Sequence, residues 1–197
     1  MRSNYRRLVR MVGATDGFTL IEMLLVAALV SVVIGMSIPI TEQFIRTMKA
    51  DSSIGAAMNA VDIGHDRAIS ERRNFVLSFI GTNRIRLSRQ EIDAAGVVTS
   101  TTVTDEFLLE NGQEFVKFVG VPDTPDAFGA TAVQSFSGTA PVMFTSDGSL
   151  VDSNGDVVNG TLFFGVPNQP LTARAVTIFG VTGLTRSWKW RGSQWQD

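Results

Sequence analysis

The chain has 197 residues, 17 Lys and Arg against 19 Asp and Glu, a single histidine and no cysteine. Disulfides, structural zinc–thiolate sites and thiol catalysis are therefore excluded, and any Ser-His-acid chemistry would have to recruit His65. The near-neutral total hides an asymmetry: residues 1–17 hold four arginines and one aspartate, and the rest holds 13 basic and 18 acidic residues, a balance that argues against nucleic-acid binding by bulk charge.

Taken from the start, Arg2, Arg6, Arg7 and Arg10 stand against the lone acid Asp16. The apolar run Phe18–Ile38 follows and contains one charge, Glu22. At ~1.5 Å per residue such a run is long enough to cross a bilayer. The basic bias predicts a cytoplasmic N-terminus and a C-terminal part sent across the membrane. A carboxylate in such a helix costs roughly 2.5–3.5 kcal/mol at its centre and less near an end, so Glu22 predicts a partner, which need not lie in the same chain. An ordinary secretory signal is cut after its apolar region. Here Gly17 precedes that region, so a cut at Gly17 removes only the basic leader and leaves Phe18 as a new terminus.

Gly17-Phe18-Thr19-Leu20-Ile21-Glu22, with the basic leader before it and the apolar run after it, resembles the type IV prepilins and the pseudopilins of type II secretion. Pro39 falls where their helices commonly carry a proline. The resemblance implies that prepilin peptidase cuts between Gly17 and Phe18 and methylates the Phe18 amine. It also implies that Glu22 and Pro39 serve filament assembly, Glu22 by pairing with a neighbour's terminal amine. The implied partners are other pilin or pseudopilin subunits through the N-terminal helix, the peptidase/methylase, the inner-membrane assembly platform and secreted protein cargo. DNA is not expected among them. The implied location is the bacterial inner membrane, crossed once with the C-terminal domain in the periplasm, and then the pilus or pseudopilus.

Beyond the apolar run, Phe44, Met48, Ile54, Met58, Val61 and Ile69 recur at helical steps and predict one buried stripe. Arg46, Lys49, Asp51, Asp62 and Asp66 predict a solvated opposite face, with Pro39, Gly35 and Gly55 as soft points. Three segments result: a leader at 1–17, a helix at 18–73 whose first part, 18–38, is transmembrane, and a β-rich domain at 74–197. Strands are expected at Phe75–Ile80, Arg84–Ser88, Val97–Val103, Phe115–Val119, Val142–Thr145, Thr161–Val166, Ala175–Phe179 and Thr185–Trp190, with a long loop from Gly120 to Ala140. The fold class is α+β, a long helix packed on an antiparallel sandwich-like domain.

The run Arg67–Phe75 leading into an apolar strand, Phe144-Thr145-Ser146-Asp147-Gly148, and the closing Gly183-Leu184-Thr185-Arg186 together resemble the GspH/FimT group of minor pseudopilins and minor pilins. Leu184 stands in place of the first arginine of that closing motif. The group implies a scarce, tip-associated subunit: a minor pseudopilin of a type II secretion system, or a FimT-like minor pilin concerned with pilus biogenesis and DNA uptake. For the latter, Arg186, Lys189 and Arg191 among Trp188, Trp190 and Trp195 are the candidate nucleic-acid contacts, since cations with stacking rings suit single strands. A terminal strand with alternate tryptophans buried predicts the same spacing. The Asp147–Asp156 loop has oxygen ligands for calcium, but Val157 and Leu162 occupy positions where an EF-hand needs glycine and a bidentate acid. Tight turns want the same residues. No metal, cofactor or catalytic activity is expected.

Overall fold

The computed structural model describes residues 17–197, without the side chains of positions 36–43. The basic stretch 1–16 and the side chain of Pro39 lie outside the described residues. The chain falls into two units that divide between Glu42 and Gln43. The helix α1 covers Leu20–Glu71 and contributes to both, whereas every strand belongs to the second.

The second unit has ten strands. One antiparallel sheet contains β1 (Asn74–Ile80), β2 (Arg84–Ile92), β3 (Val98–Leu108), β5 (Val142–Phe144) and β6 (Leu150–Val151), in the order β3, β2, β1, β5, β6. The other contains β4 (Gln134–Phe136), β7 (Gly160–Phe164), β8 (Arg174–Ile178), β9 (Thr185–Trp190) and β10 (Trp195–Gln196), in the order β10, β9, β8, β7, β4. The expected strand at Phe115–Val119 is absent; Glu114, just before it, makes an isolated bridge to Gly165, and the Phe115 N–H donates to the Thr82 carbonyl at 2.6 Å. The expected loop Gly120–Ala140 contains β4, and the short β6 and β10 are strands that the sequence did not suggest.

One core lies between the helix and both sheets, built from Ile54 and Val61 of α1, Phe75 and Leu77 of β1, Leu87 of β2, Phe144 of β5, Leu162 and Phe164 of β7 and Ile178 of β8. A second apolar cluster covers the outer face of the β7–β9 sheet. There Phe163, Ala175, Trp188 and Trp190 meet Phe118 and Val121 of the preceding loop. Every residue of β7 and β8 is buried as a result, Thr161, Arg174 and Thr177 included, so neither strand shows the alternation of a half-solvated sheet.

The helix face against the core differs from the expected stripe. Ala50, Ile54, Ala57, Val61 and Ala68 are buried, while Phe44, Met48 and Ile69 are exposed. Gly64 completes the series 50, 54, 57, 61, 64, 68, and a Cβ there would lie 3.0 Å from Leu87 Cδ2 and 3.3 Å from Phe144 Cδ2. Small residues bring the helix close to the sheet, which large ones at these positions would prevent. The opposite face is not wholly solvated either. The Arg174 guanidinium, 1% exposed, donates from Nε to Asp51 Oδ1 at 2.8 Å and from its other nitrogens to the carbonyls of Thr47, Leu171 and Ala173. Thr185 Oγ1 donates to Asp62 Oδ1 at 3.2 Å, and Arg67 of the helix pairs with Asp105 of β3 at 2.6 Å.

The helix ends at Glu71 because Arg72 takes a left-handed conformation (φ 51°) and the Arg73 N–H turns back to the Ala68 carbonyl at 3.3 Å. That is a Schellman closure, here made without the usual glycine.

Candidate functional site: the apolar segment and the helix–sheet corner

In the first unit, Gly17 and Phe18 precede the helix and Phe18 is exposed. A Cβ at Gly17 would meet nothing within 4 Å and the residue has no left-handed φ, so the fold itself has no need of glycine at this position. Thr19 caps the helix: its Oγ1 accepts from the Glu22 N–H at 3.3 Å, and its carbonyl accepts from the Met23 N–H at 3.2 Å. Thr19 and Glu22 thus stand three apart as in a capping box, with the carboxylate in the first turn beside the positive end of the helix dipole. That placement is worth about 0.3–1 kcal/mol on its own.

From Leu20 to Ile34 the large apolar side chains are exposed on every side of the helix; Leu20, Ile21, Leu24, Leu29 and Val33 are each more than half accessible. A helix that is apolar all round is built for a non-aqueous or fully packed surrounding. Among the described residues no helix is long and apolar enough to cross a membrane. The run Phe18–Ile38 continues into positions 36–43, whose side chains are not described.

In the second unit, two of the motifs singled out in the sequence converge on His65. A Cβ on Gly148 would sit 2.8 Å from His65 Nε2, and one on Gly183 would sit 2.2 Å from His65 Cδ2 and 2.9 Å from the Gly148 carbonyl oxygen. Both glycines have positive φ, 86° and 66°. The imidazole also meets the Phe144 ring edge-on at 5.8 Å, and its Nδ1 lies 3.3 Å from Asp66 Oδ1. His65 is therefore a packing residue, wedged between the turn after β5 and the turn before β9, and not a free helix-surface histidine.

Two carboxylates at this corner have displaced pKa values of opposite sense. Hydrogen bonds from Thr145 Oγ1, then from the Ser149 hydroxyl at 2.8 Å and the Ser149 N–H at 3.2 Å, hold Asp147 down at about 2. Asp62 is raised, chiefly by partial burial and against the Thr185 hydrogen bond. A depressed carboxylate stabilises the fold above its unfolded value near 3.9, and that stability is lost as pH falls through the folded value. A raised one acts in the reverse direction. Between about pH 4 and pH 2 the full-length protein should lose stability in urea titrations, and Asp147→Asn should flatten that slope. An unchanged slope in the variant would rule out this role for Asp147.

The tail residues are separated by their surroundings. The Arg186 guanidinium pairs with Asp126 at 2.8 Å and lies over the rings of Phe179 and Trp188, at 5.5 and 5.7 Å. Trp188, Trp190 and Trp195 are buried in the outer cluster. Trp188 Nε1 donates to Asp126 at 3.0 Å, and Trp195 Nε1 to the Pro122 carbonyl at 3.0 Å. The rings are core, so no stacking platform accompanies Arg186, the half-buried Lys189 and the exposed Arg191.

In the Asp147–Asp156 loop, Asp152 is buried and its carboxylate accepts from the N–H groups of Thr139, Asn154 and Asp156 at 2.8–3.1 Å, which hold its pKa down. Its oxygens form the turn, and no group of three or more metal-ligating side chains occurs among the described residues.

Buried Arg174 and the shared acceptor Asp126 were not singled out from sequence, and Asp51, expected on the solvated face of the helix, instead pairs with Arg174. The glycines at 148 and 183 were visible as motif residues, but nothing local pointed to His65 as what they accommodate.

No protein-family model and no curated protein matches the chain. The solved structure of the minor pseudopilin EpsH from the type 2 secretion system of Vibrio cholerae is similar over 72% of this chain and 97% of its own, at 15% identity and a TM-score of 0.44. That is a coarse likeness of fold.

Proposed function

We propose that this chain is a minor pseudopilin-like structural subunit, made as a precursor, trimmed after Gly17 and held in the inner membrane by its apolar helix until that helix packs into a filament. The observation that carries the reading is the join at residues 17–22: a glycine that the fold does not require, an exposed Phe18, a Thr19 cap and Glu22 in the first turn of a helix apolar on all sides. The glycine then serves an external reader, the peptidase. The exposed apolar surface serves lipid first and neighbouring helices afterwards. Glu22 gains a neighbour's Phe18 amine on leaving lipid, which favours and aligns assembly. Within this reading the finer assignment is to the GspH/FimT group acting in a type II secretion pseudopilus.

The capping geometry sharpens the test, because the Thr19 cap uses the Glu22 backbone N–H and Glu22→Gln leaves it in place while removing the charge. Mass spectrometry of the mature protein should find methylated Phe18 as its terminus, and Gly17→Val should leave an uncut precursor. Glu22→Gln should be trimmed normally yet enter filaments several-fold less than the parent. Normal incorporation would eliminate the pairing role, and a retained arginine-bearing leader would eliminate the whole reading. Deleting the gene should impair exoprotein secretion; loss of twitching or transformation instead would assign the subunit to a type IV pilus.

A further inference from the structure

The corner around His65 presents an apolar surface that the proposed helix-mediated assembly does not use. Val181 is 74% exposed, Leu184 66%, Val157 50% and Ile69 43%. They come from three separate segments yet gather at one end of the domain. The Val157 Cγ1 atom is 3.0 Å from where a Cβ on Gly180 would sit, and Ile69 Cδ1 is 3.0 Å from the same position on Gly148. Gly183 abuts His65 and the Gly148 carbonyl. The Val181–Leu184 segment is not loose, because it is closed by bonds from the Phe179 N–H to the Leu184 carbonyl and from the Gly183 N–H to the Phe179 carbonyl, at 2.9 and 2.8 Å. A rigid loop therefore holds two apolar side chains out in water. Contiguous exposed apolar surface with a polar rim marks interaction sites in soluble domains.

Three carboxylates lie at the edge of this surface. The Asp66 side chain is 81% exposed beside His65, Asp147 is exposed beside Gly148, and Asp156 is exposed next to Val157. Among the described residues none of these three carboxylates is paired with Lys or Arg; the nearby Arg186 is held by Asp126. Exposed carboxylates at the edge of the patch favour a partner of opposite charge and disfavour a second copy of the same face.

We propose that this end of the domain is a docking surface for a different protein, one that offers apolar side chains flanked by Lys or Arg. Val181 and Leu184 are the anchors, and the three carboxylates orient the partner. The proposal does not depend on trimming at Gly17 or on pairing of Glu22.

The test uses the full-length chain in its own cell, with the photo-crosslinking residue p-benzoylphenylalanine replacing Val181 or Leu184, and replacing Val119, which is fully exposed elsewhere, as reference. The probes at 181 and 184 should trap a protein at least tenfold above the reference, and the trapped peptide should contain apolar residues flanked by Lys or Arg. Asp66→Lys or Asp156→Lys, whose carboxylates hold no turn together, should each lower that yield at least threefold. Trapping no better than at position 119, capture of an acidic peptide or of another copy of this chain, or yields unaffected by both charge reversals would overturn the proposal.

Discussion

Asp51→Ala should destabilise the second unit by about 3 kcal/mol, the lower end of what breaking a buried ion pair costs. Arg174→Met should cost clearly less. The asymmetry follows from where the two partners sit. Arg174 is 1% exposed, whereas the Asp51 side chain is 40% exposed. Removing the carboxylate leaves a guanidinium in the interior with only the carbonyls of Thr47, Leu171 and Ala173 for company. Removing the guanidinium leaves a carboxylate that water can reach, and methionine fills much of the vacated volume. In the double variant the uncompensated charge is gone, so its stability should resemble that of Arg174→Met alone. Urea unfolding of the full-length protein in detergent reads this directly, since Trp188, Trp190 and Trp195 are all buried in the same unit. Equal losses in the two single variants would mean that the pair is no more than a surface contact. The pair also bears on function: Asp51 is one of the points where α1 is tied to the β8 strand, so the same variant should loosen the helix that the assembly reading needs held in place.

The apolar segment and its entry could be read in the sequence because their logic is local. Thr19 and Glu22 are three residues apart, and the cap they form needs no tertiary partner. Most strands could be read as well, since Arg84–Ser88 alternates and β7 and β8 are β-prone runs. What failed was the identity of the helix stripe. Counting large apolar residues puts Phe44, Met48 and Ile69 in the core, and all three are exposed. The contact face is instead Ala50, Ile54, Ala57, Val61, Gly64 and Ala68, whose steps of four and three would have emerged had small residues been counted as contact positions. Size decided it: a helix pressed against Leu87 and Phe144 needs small residues where it touches and can leave large ones in solvent. The buried Arg174 was beyond reach for a different reason. Its partner lies 123 positions away in the chain, and no local pattern distinguishes it from a surface arginine. The tryptophan pair at 188 and 190 fitted a stacking surface and a buried strand equally well. The loop carrying Phe118, Val121 and Asp126 settled the matter by covering it.

Gly183→Ala should cost roughly 2–5 kcal/mol, the sum of two effects that a double-mutant cycle can separate. The left-handed backbone at φ 66° costs a residue with a Cβ about 1–2 kcal/mol wherever the side chain points. The remainder, about 1–3 kcal/mol, is overpacking, because the new methyl would sit 2.2 Å from His65 Cδ2 and 2.9 Å from the Gly148 carbonyl. His65→Ala removes the first of those obstacles and leaves the backbone conformation untouched. In that background Gly183→Ala should keep the backbone share of about 1–2 kcal/mol and the crowding against the Gly148 carbonyl but lose the clash with His65, so it should cost clearly less, and the difference is the coupling between helix and turn. The measurement is again urea unfolding of the full-length chain, with Gly81→Ala as a control, since that glycine has a similar φ of 61° and open space around its Cβ position. If Gly183→Ala costs the same with and without His65, the glycine is not needed to accommodate the imidazole and the helix is not coupled to the turn through it. If Gly81→Ala is as damaging as Gly183→Ala, the contact with His65 adds nothing. The expected ordering instead makes the glycine of the closing Gly-Leu-Thr-Arg motif a socket for the helix. It explains why a turn far along the chain bears on how α1 is held against the two sheets.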